Sequence, residues 1–578
     1  MLLPGVPTTS PAMSNRRACA FLSCVLGATA QYVTVVDAAD GRGVPLVSLT
    51  TVDQQVFTTD SNGVAFVDAP ELAGVATFFS VSADGYEYPA DAFGYRGKAV
   101  TLAPGAPASA SFVVNRTQLA QRIYRLTGAG LYGDSLRAGL ALPPHVSRQH
   151  ALLNTGVLGQ DSVLSAVYKG RVRYFWGDTN RAAFPLGNFF STGATSCVPV
   201  PGRGRGGGGG GASAGDCGAP PWPLALEYIT AQNDSRGDGF DVKPMASFPP
   251  TSFPTWLSGL FVLGGGTNAT MHAVFAKPDH SMATLRWGVA TWNDTGSQFD
   301  EVAQWPLGAF DRVLEGSQGV RSGGFNYLFN PPAVVRISAD SQTDVADLHQ
   351  SYAGFTPLAP GSNMSAAPPA VERDAGGELV WGWKAGTPPI LEADEDKLIG
   401  LGLIKEAEAR CRVVDAAGKR LYLNRGMAAW NPWRQRFIQI STADGRKAAG
   451  VGSVDGEQYF AEAHQITGPW ENATRVATHA SSKYSCYNPV LLPYLDEEGG
   501  RIIYHSCTFT HSFSGAKAVV PKYDYSAYYE LSVACAAAPS PPNLSACPPP
   551  RRADHPRPAS CCRQPRFSAG SVGRRGRN

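Results

Sequence analysis

Along most of this chain, apolar and polar residues alternate or gather in short blocks, and few stretches carry the three-to-four-residue spacing of a helix. Val163-Leu164-Ser165-Ala166-Val167-Tyr168 and Arg171-Val172-Arg173-Tyr174-Phe175-Trp176 are two such blocks, rich in β-branched and aromatic residues, and they read as strands. Lys169-Gly170 between them fits a two-residue turn in which Gly supplies a positive φ. In that register Tyr168 pairs with Arg171 and Val163 with Trp176, so Asp161 falls opposite Asp178 on the same face. Similar blocks recur at 259–263, 272–276, 286–292, 436–440, 458–461 and 501–504, separated by Gly and Asn/Asp-Gly turns.

The 163–176 hairpin is apolar on both faces, which suits a sheet held between two other sheets, as in a propeller blade. Residues 141–536 are therefore expected to form a β-propeller of about five four-stranded blades, and to be the domain that carries any chemistry. Residues 31–115 read as a separate small all-β module, with strands near 32–36, 44–49, 64–67 and 78–82. The best helical candidate is Thr117–Leu126, with Leu119, Ile123 and Leu126 on one face and Gly128 beyond its end, which makes 116–140 a helical connector. The run Gly206–Gly211 is a loop insert without the Lys-Ser/Thr of a phosphate-binding loop. The Pro- and Arg-rich tail, 537–578, has the composition of a disordered segment. The fold class expected is all-β, a sandwich followed by a propeller.

Composition narrows the partners. Over 578 residues, 43% are hydrophobic and 17% charged, a globular balance, and a net charge of +2 argues against nucleic acid. Arg16-Arg17, the short apolar run 18–27 and Ala28-Thr29-Ala30 read as an export signal over residues 1–30. Asn-x-Ser/Thr sequons at Asn115, Asn233, Asn268, Asn293, Asn363, Asn472 and Asn543 fit a secreted glycoprotein with no membrane span. The cysteines show no zinc spacing; Cys197 with Cys217, and Cys486 with Cys507, are the pairs expected to form disulfides. No metal or cofactor is expected, and the oligomeric state is open.

The candidate chemistry centres on the two aspartates. Directly opposed residues of a hairpin hold their Cβ atoms ~4.5–5.5 Å apart, and two carboxyls that close resist ionising together. One would then serve as general acid and the other as base or nucleophile, and a separation of ~5 Å would favour retention in glycoside hydrolysis. The structural alternative is that Asp178 and Thr179 simply bind turn backbone at a strand end. Glu457 and Glu462 are further candidate acids. Trp176, Trp256 and Trp430 are candidate sugar-stacking platforms, and Arg425 and Lys277 are candidate partners for sugar hydroxyls or carboxylates. Each of these has a bland counterpart in core packing or solvated charge.

Gly159-Gln160-Asp161-Ser162 together with Gly177-Asp178-Thr179 resembles the first blade of five-bladed propeller glycoside hydrolases of the endo-D-arabinanase type. That resemblance implies that Asp161 and Asp178 are the catalytic pair. The order strand, Val44-Pro45-Leu46, strand, Thr59-Asp60-Ser61-Asn62-Gly63, strand, Gly85-Tyr86 resembles carboxypeptidase regulatory-like, transthyretin-type sandwiches, which implies an accessory module. The strings Tyr327-Leu328-Phe329-Asn330-Pro331, Gly456–Ala463, Tyr487-Asn488-Pro489, 496–501 and 521–525 are similar to secreted propeller proteins of no known activity. The function expected is a secreted glycoside hydrolase acting on a cell-wall or matrix polysaccharide. The alternative is a non-catalytic glycan-binding or adhesion propeller.

Overall fold

The computed structural model describes residues 31–102, 108–143, 146–184, 189–199, 224, 226–231, 241–307, 318–443, 455–512 and 527–532. The export signal, the Gly-rich insert, Cys217, the sequons at Asn233 and Asn543, and the tail lie outside the described residues. The protein is all-β: among the described residues the α-helices are short, namely Gly133–Arg137, Arg148–Leu152, Leu348–Ser351 and Glu392–Gly400. None of them is long and apolar enough to cross a membrane.

Strands from the first part of the chain make two four-stranded sheets. One orders Val64–Phe66, Gln31–Asp37, Ala108–Arg116 and Tyr86–Glu87; the other orders Val56–Thr58, Ser48–Thr51, Ala76–Ser82 and Gly97–Thr101. Gln31–Asp37 buries every second residue. Its Val33 and Val35 share one apolar core with Leu49, Phe79, Phe112 and Val114 from both sheets.

Five larger antiparallel sheets follow in chain order. The first contains Val163–Tyr168, Arg171–Trp176, Thr192–Cys197 and Glu227–Tyr228. The second contains Trp256–Leu263, Thr270–Pro278, Thr284–Asn293 and Gln298–Gln304. The third has five strands, from Val320–Ser322 to Gly382–Ala385, and the fourth has Leu423–Asn431, Arg436–Ala443, Gln458–Ala463 and Glu471–Ala477. The fifth sets Ser485–Leu491, Ile502–Thr510 and Ala527–Ser532 beside Gln121–Arg122, a strand from far earlier in the chain. Cys486 and Cys507, on neighbouring strands of this sheet, form a disulfide.

The two apolar faces of the 163–176 hairpin go to different neighbours. Val163, Val172, Tyr174 and Trp176 join a core with residues of the fourth and fifth sheets, whereas Leu164, Tyr168 and Phe175 join a core with the second. Phe261, Val274 and Trp287 of the second sheet pack on Leu328 and Val335 of the third. Phe329 and Val334 of the third pack on Ala428 and Ala461 of the fourth. The inner strands are thus covered on both sides, which is why Thr270–Pro278 and Ile502–Thr510 lack an exposed polar face, while the edge strand Gln298–Gln304 keeps one.

The helix expected over Thr117–Leu126 is absent. That stretch is extended, and its Gln121 and Arg122 pair with Glu530 and Tyr529. A single short helix is marginal on its own, and here the segment is claimed by tertiary contacts. Ala120, Ile123 and Leu126 enter the core of the fourth and fifth sheets. The buried Arg122 guanidinium donates to the carbonyls of Pro45 (3.0 Å), Leu46 (3.3 Å) and Asp84 (2.9 Å).

Candidate active site

The 163–176 ladder has the register the sequence predicts, from Val163 opposite Trp176 to Tyr168 opposite Arg171, around a turn in which both Lys169 and Gly170 have positive φ. A second short ladder, Val157–Gln160 against Thr179–Arg181, continues it, with Gln160 opposite Thr179. Asp161-Ser162 and Gly177-Asp178 sit at the joint between the two. There the Asp161 amide donates to the Asp178 carbonyl at 2.9 Å, and the Gly177 amide is shared between the carbonyls of Asp161 (3.1 Å) and Ser162 (3.2 Å). The two aspartates are therefore backbone partners at an irregular step of the ladder.

Their side chains have different environments. Asp178 is 8% exposed, and its Oδ1 accepts a 2.6 Å bond from Trp256 Nε1 of the second sheet. Burial pushes the Asp178 carboxyl up to about 7; the Trp256 N–H pulls it down, and the nearby charge of Asp161 pushes it further up. Asp161 is half-buried, and its Oδ1 accepts from the Ser162 amide (2.6 Å), the Ser162 hydroxyl (2.8 Å) and the Tyr487 hydroxyl of the fifth sheet. Asn488 Nδ2 holds the same Ser162 hydroxyl, while the Ser162 amide also meets Thr508 Oγ1 at 2.8 Å.

Below the pair, Thr179 is fully buried, and its hydroxyl is bonded to Thr192 at 2.8 Å. Gln160 links that Thr192 (2.6 Å) to Tyr228 (2.7 Å), so the threonine of Gly-Asp-Thr anchors the strand. A small cavity of about 20 Å³, room for a water or two, is lined by Asp161, Ser162, Trp176 and Thr508; Asp178 stands behind Asp161 and does not line it. Trp176 itself is 3% exposed and stacks on Tyr174, so it forms a wall of the cavity.

Bonds between sheets show which strand ends coincide. The fifth sheet presents Tyr487 at the start of Ser485–Leu491 to the aspartates. The Cys486 amide next to it donates to the Asp455 carbonyl, and Asp455 Oδ1 accepts from Asn424 at the start of Leu423–Asn431. At the other end of that strand, Asn431 Nδ2 donates to Gly500 O, in the turn beyond Ser485–Leu491. Arg425 thus lies at the aspartate end of the fourth sheet, exposed on a bulge with φ 38°. Trp430 lies at the opposite end, a strand length of ~20 Å away by rise per residue.

Three candidates have structural employment instead. Glu462 sits near the remote end, paired with Arg434 at 2.5 Å and bonded by Asn472 at 3.0 Å. Burial raises its carboxyl, but the Arg434 guanidinium outweighs that and holds it below the ordinary range. Glu457, at the aspartate end of the fourth sheet, is buried and bonded to Thr478 (2.7 Å) and Arg475 (3.3 Å). Lys277 is buried and donates to Phe253 O (2.9 Å), Pro254 O (3.3 Å) and Thr255 Oγ1 (3.0 Å). Burial, with help from Arg286, lowers its ammonium to about 8. It pins the segment that delivers Trp256 to Asp178 and offers nothing to a sugar.

Sequence reasoning missed Tyr487, Asn488, Ser162 and Thr508 as parts of the site. The trace that could have found the first two is Tyr487-Asn488-Pro489 inside a strand, since a proline there marks a bulge; Asn488 has φ 49°, and the ladder slips between Tyr487 and Val490. Among the described residues no three His, Cys, Asp or Glu converge in a group able to hold a metal.

The sequence matches no family model, and no curated protein matches it. Solved structures similar to it include a protein of Bacteroides ovatus assigned as a hydrolase, at 13% identity and TM-score 0.36, covering 65% of this chain and 86% of that one. A GH43 β-xylosidase/α-arabinofuranosidase from a compost metagenome, solved with xylotriose, is similar at 11% identity and TM-score 0.30, covering 67% and 93%. An exo-β-1,3-galactanase of Phanerochaete chrysosporium, solved with β-1,3-galactotriose, is similar at 9% identity and TM-score 0.31; the match covers 67% of this chain and 61% of that one.

Proposed function

We propose that this chain is a secreted glycoside hydrolase whose five large sheets are the blades of a propeller and whose first two sheets form a transthyretin-like accessory sandwich. The observation that carries the catalytic reading is the buried Asp178 carboxyl, pushed up to about 7 next to Asp161, a second carboxyl that lines a small cavity. Carboxyls with divided environments are how one residue type supplies both halves of acid–base chemistry near neutral pH. Asp178 is the general acid, protonating the leaving glycosidic oxygen. Asp161, held through Oδ1 by Ser162 and Tyr487, presents Oδ2 as base or nucleophile. Trp176 walls the small cavity that Asp161 lines, and Arg425 stands at the aspartate end of the fourth sheet. The substrate is a cell-wall or matrix polysaccharide, reached after export and N-glycosylation.

The test is sugar release by the purified mature protein from plant, algal and bacterial wall polysaccharides. Asp161→Asn and Asp178→Asn are each expected to lower the rate by ~100-fold or more, the scale of general acid–base catalysis, with the fold intact. Undiminished release by both variants would end the reading, and no release by wild type would leave a glycan-binding propeller. The anomer formed first reports the carboxyl spacing, retention for ~5–5.5 Å and inversion for ~6.5–9.5 Å.

A further inference from the structure

We infer that the tip of the 431–436 hairpin, at the end of the fourth sheet remote from the aspartates, is a second polysaccharide-binding site. Trp430 and Trp433 are 40% and 46% exposed there, in a protein that buries Trp176, Trp287, Trp292, Trp305 and Trp470. Three residues of chain separate them, ~11 Å at most between their Cα atoms, a span shorter than an oligosaccharide. The tip is braced. Asn431, fully buried, accepts from the Arg434 amide at 2.8 Å and donates to Gly500 O at 2.8 Å. The Arg434 side chain is 9% exposed, paired to the 4% exposed Glu462, and lies 5.9 Å from the Trp433 ring centroid. Phe437 props Trp430 edge-on at 5.2 Å. The buried acid expected to serve the chemistry instead holds this surface in shape.

The chemistry of the tip fits a sugar chain. Neither indole N–H has a hydrogen-bond partner among the described residues. Flat apolar rings that each carry an unspent N–H match the C–H faces and hydroxyls of pyranose rings. A partner protein is a poorer fit. An aromatic side chain buries ~150–250 Å² in full, so two half-exposed indoles offer far less than the ~800 Å² per side of a stable interface.

The ligand class rests on the glycan reading, but the test does not need turnover. Retention by insoluble polysaccharides, neutral and uronate-bearing, is measured with the inactive Asp161→Asn/Asp178→Asn protein. The added pair Trp430→Ala/Trp433→Ala is expected to weaken retention at least tenfold, and Trp→Tyr at both positions to restore part of it. In the otherwise wild-type protein, the same Trp→Ala pair leaves the rate on short soluble oligosaccharides within twofold. Trp433→Ala alone, in an exposed turn, covers the case in which the double variant misfolds. Retention equal to the parent protein in the Trp variants, or no polymer retained by the parent, overturns the inference. Retention with no turnover by the wild-type protein, or with undiminished turnover in the aspartate variants, would count against the catalytic reading alone.

Discussion

Asp178 ties the stability of the folded chain to pH. Its carboxyl titrates at about 7 when folded, against ~4 in an unfolded chain. Between those values the unfolded chain has released the proton and the folded chain still holds it. Stability is therefore greatest below pH ~4, falls as pH rises to about 7, and levels off above. Asp178→Asn removes that penalty while keeping an oxygen for Trp256, so at pH 8 the variant should be more stable by up to about 4 kcal/mol in denaturant melts, with no gain at pH 4. In the proposed mechanism the same residue, as general acid, should set an alkaline limb in activity near pH 7. Trp256→Phe deletes the N–H that lowers this carboxyl, so the limb in a pH–rate profile should move to higher pH. Asp161 and Asp178 could be read from sequence because a hairpin register is local arithmetic. Trp256 and Tyr487 could not, since they arrive from other sheets, across 78 and 326 residues of chain.

Among elements, strands were legible where apolar blocks ended at Gly turns, and the 163–176 hairpin folds in its expected register. The extended 117–126 segment shows where such reading stops. Its 119/123/126 spacing fits a helix, yet the fifth sheet lacks an outer strand and takes it. Glu462 and Lys277 teach a related lesson: a charged residue in a strand says nothing about its partner, and both partners came from turns. Cys486 and Cys507 were readable as neighbours on adjacent strands. Their bond spans 21 residues and flanks the Asn488 bulge beside Asp161. Replacing both by Ser should cost ~3 kcal/mol by the loop-closure relation, read as a lowered Tm.

Across the molecule, the proposed propeller depends on the segment that precedes it. Arg122 is locked into carbonyls of turns that join strands of the first two sheets, while its backbone completes the fifth. Asp84 of the early region in turn accepts from the Ser482 amide at 2.9 Å. A protein beginning after Arg122 would leave Ala527–Ser532 as a bare edge, prone to pairing with other chains. Size-exclusion chromatography of that truncation should show aggregates, and limited proteolysis should cut it faster than the full chain.

That pairing has a further consequence during synthesis. Tyr529 meets Arg122 roughly four hundred residues upstream, one of the longest-range contacts the topology can make. While the ribosome is still reading the last blade, the clasp is half built, and an early strand must wait for its mate. Whatever receives the growing polypeptide therefore handles it with its final seam still unzipped.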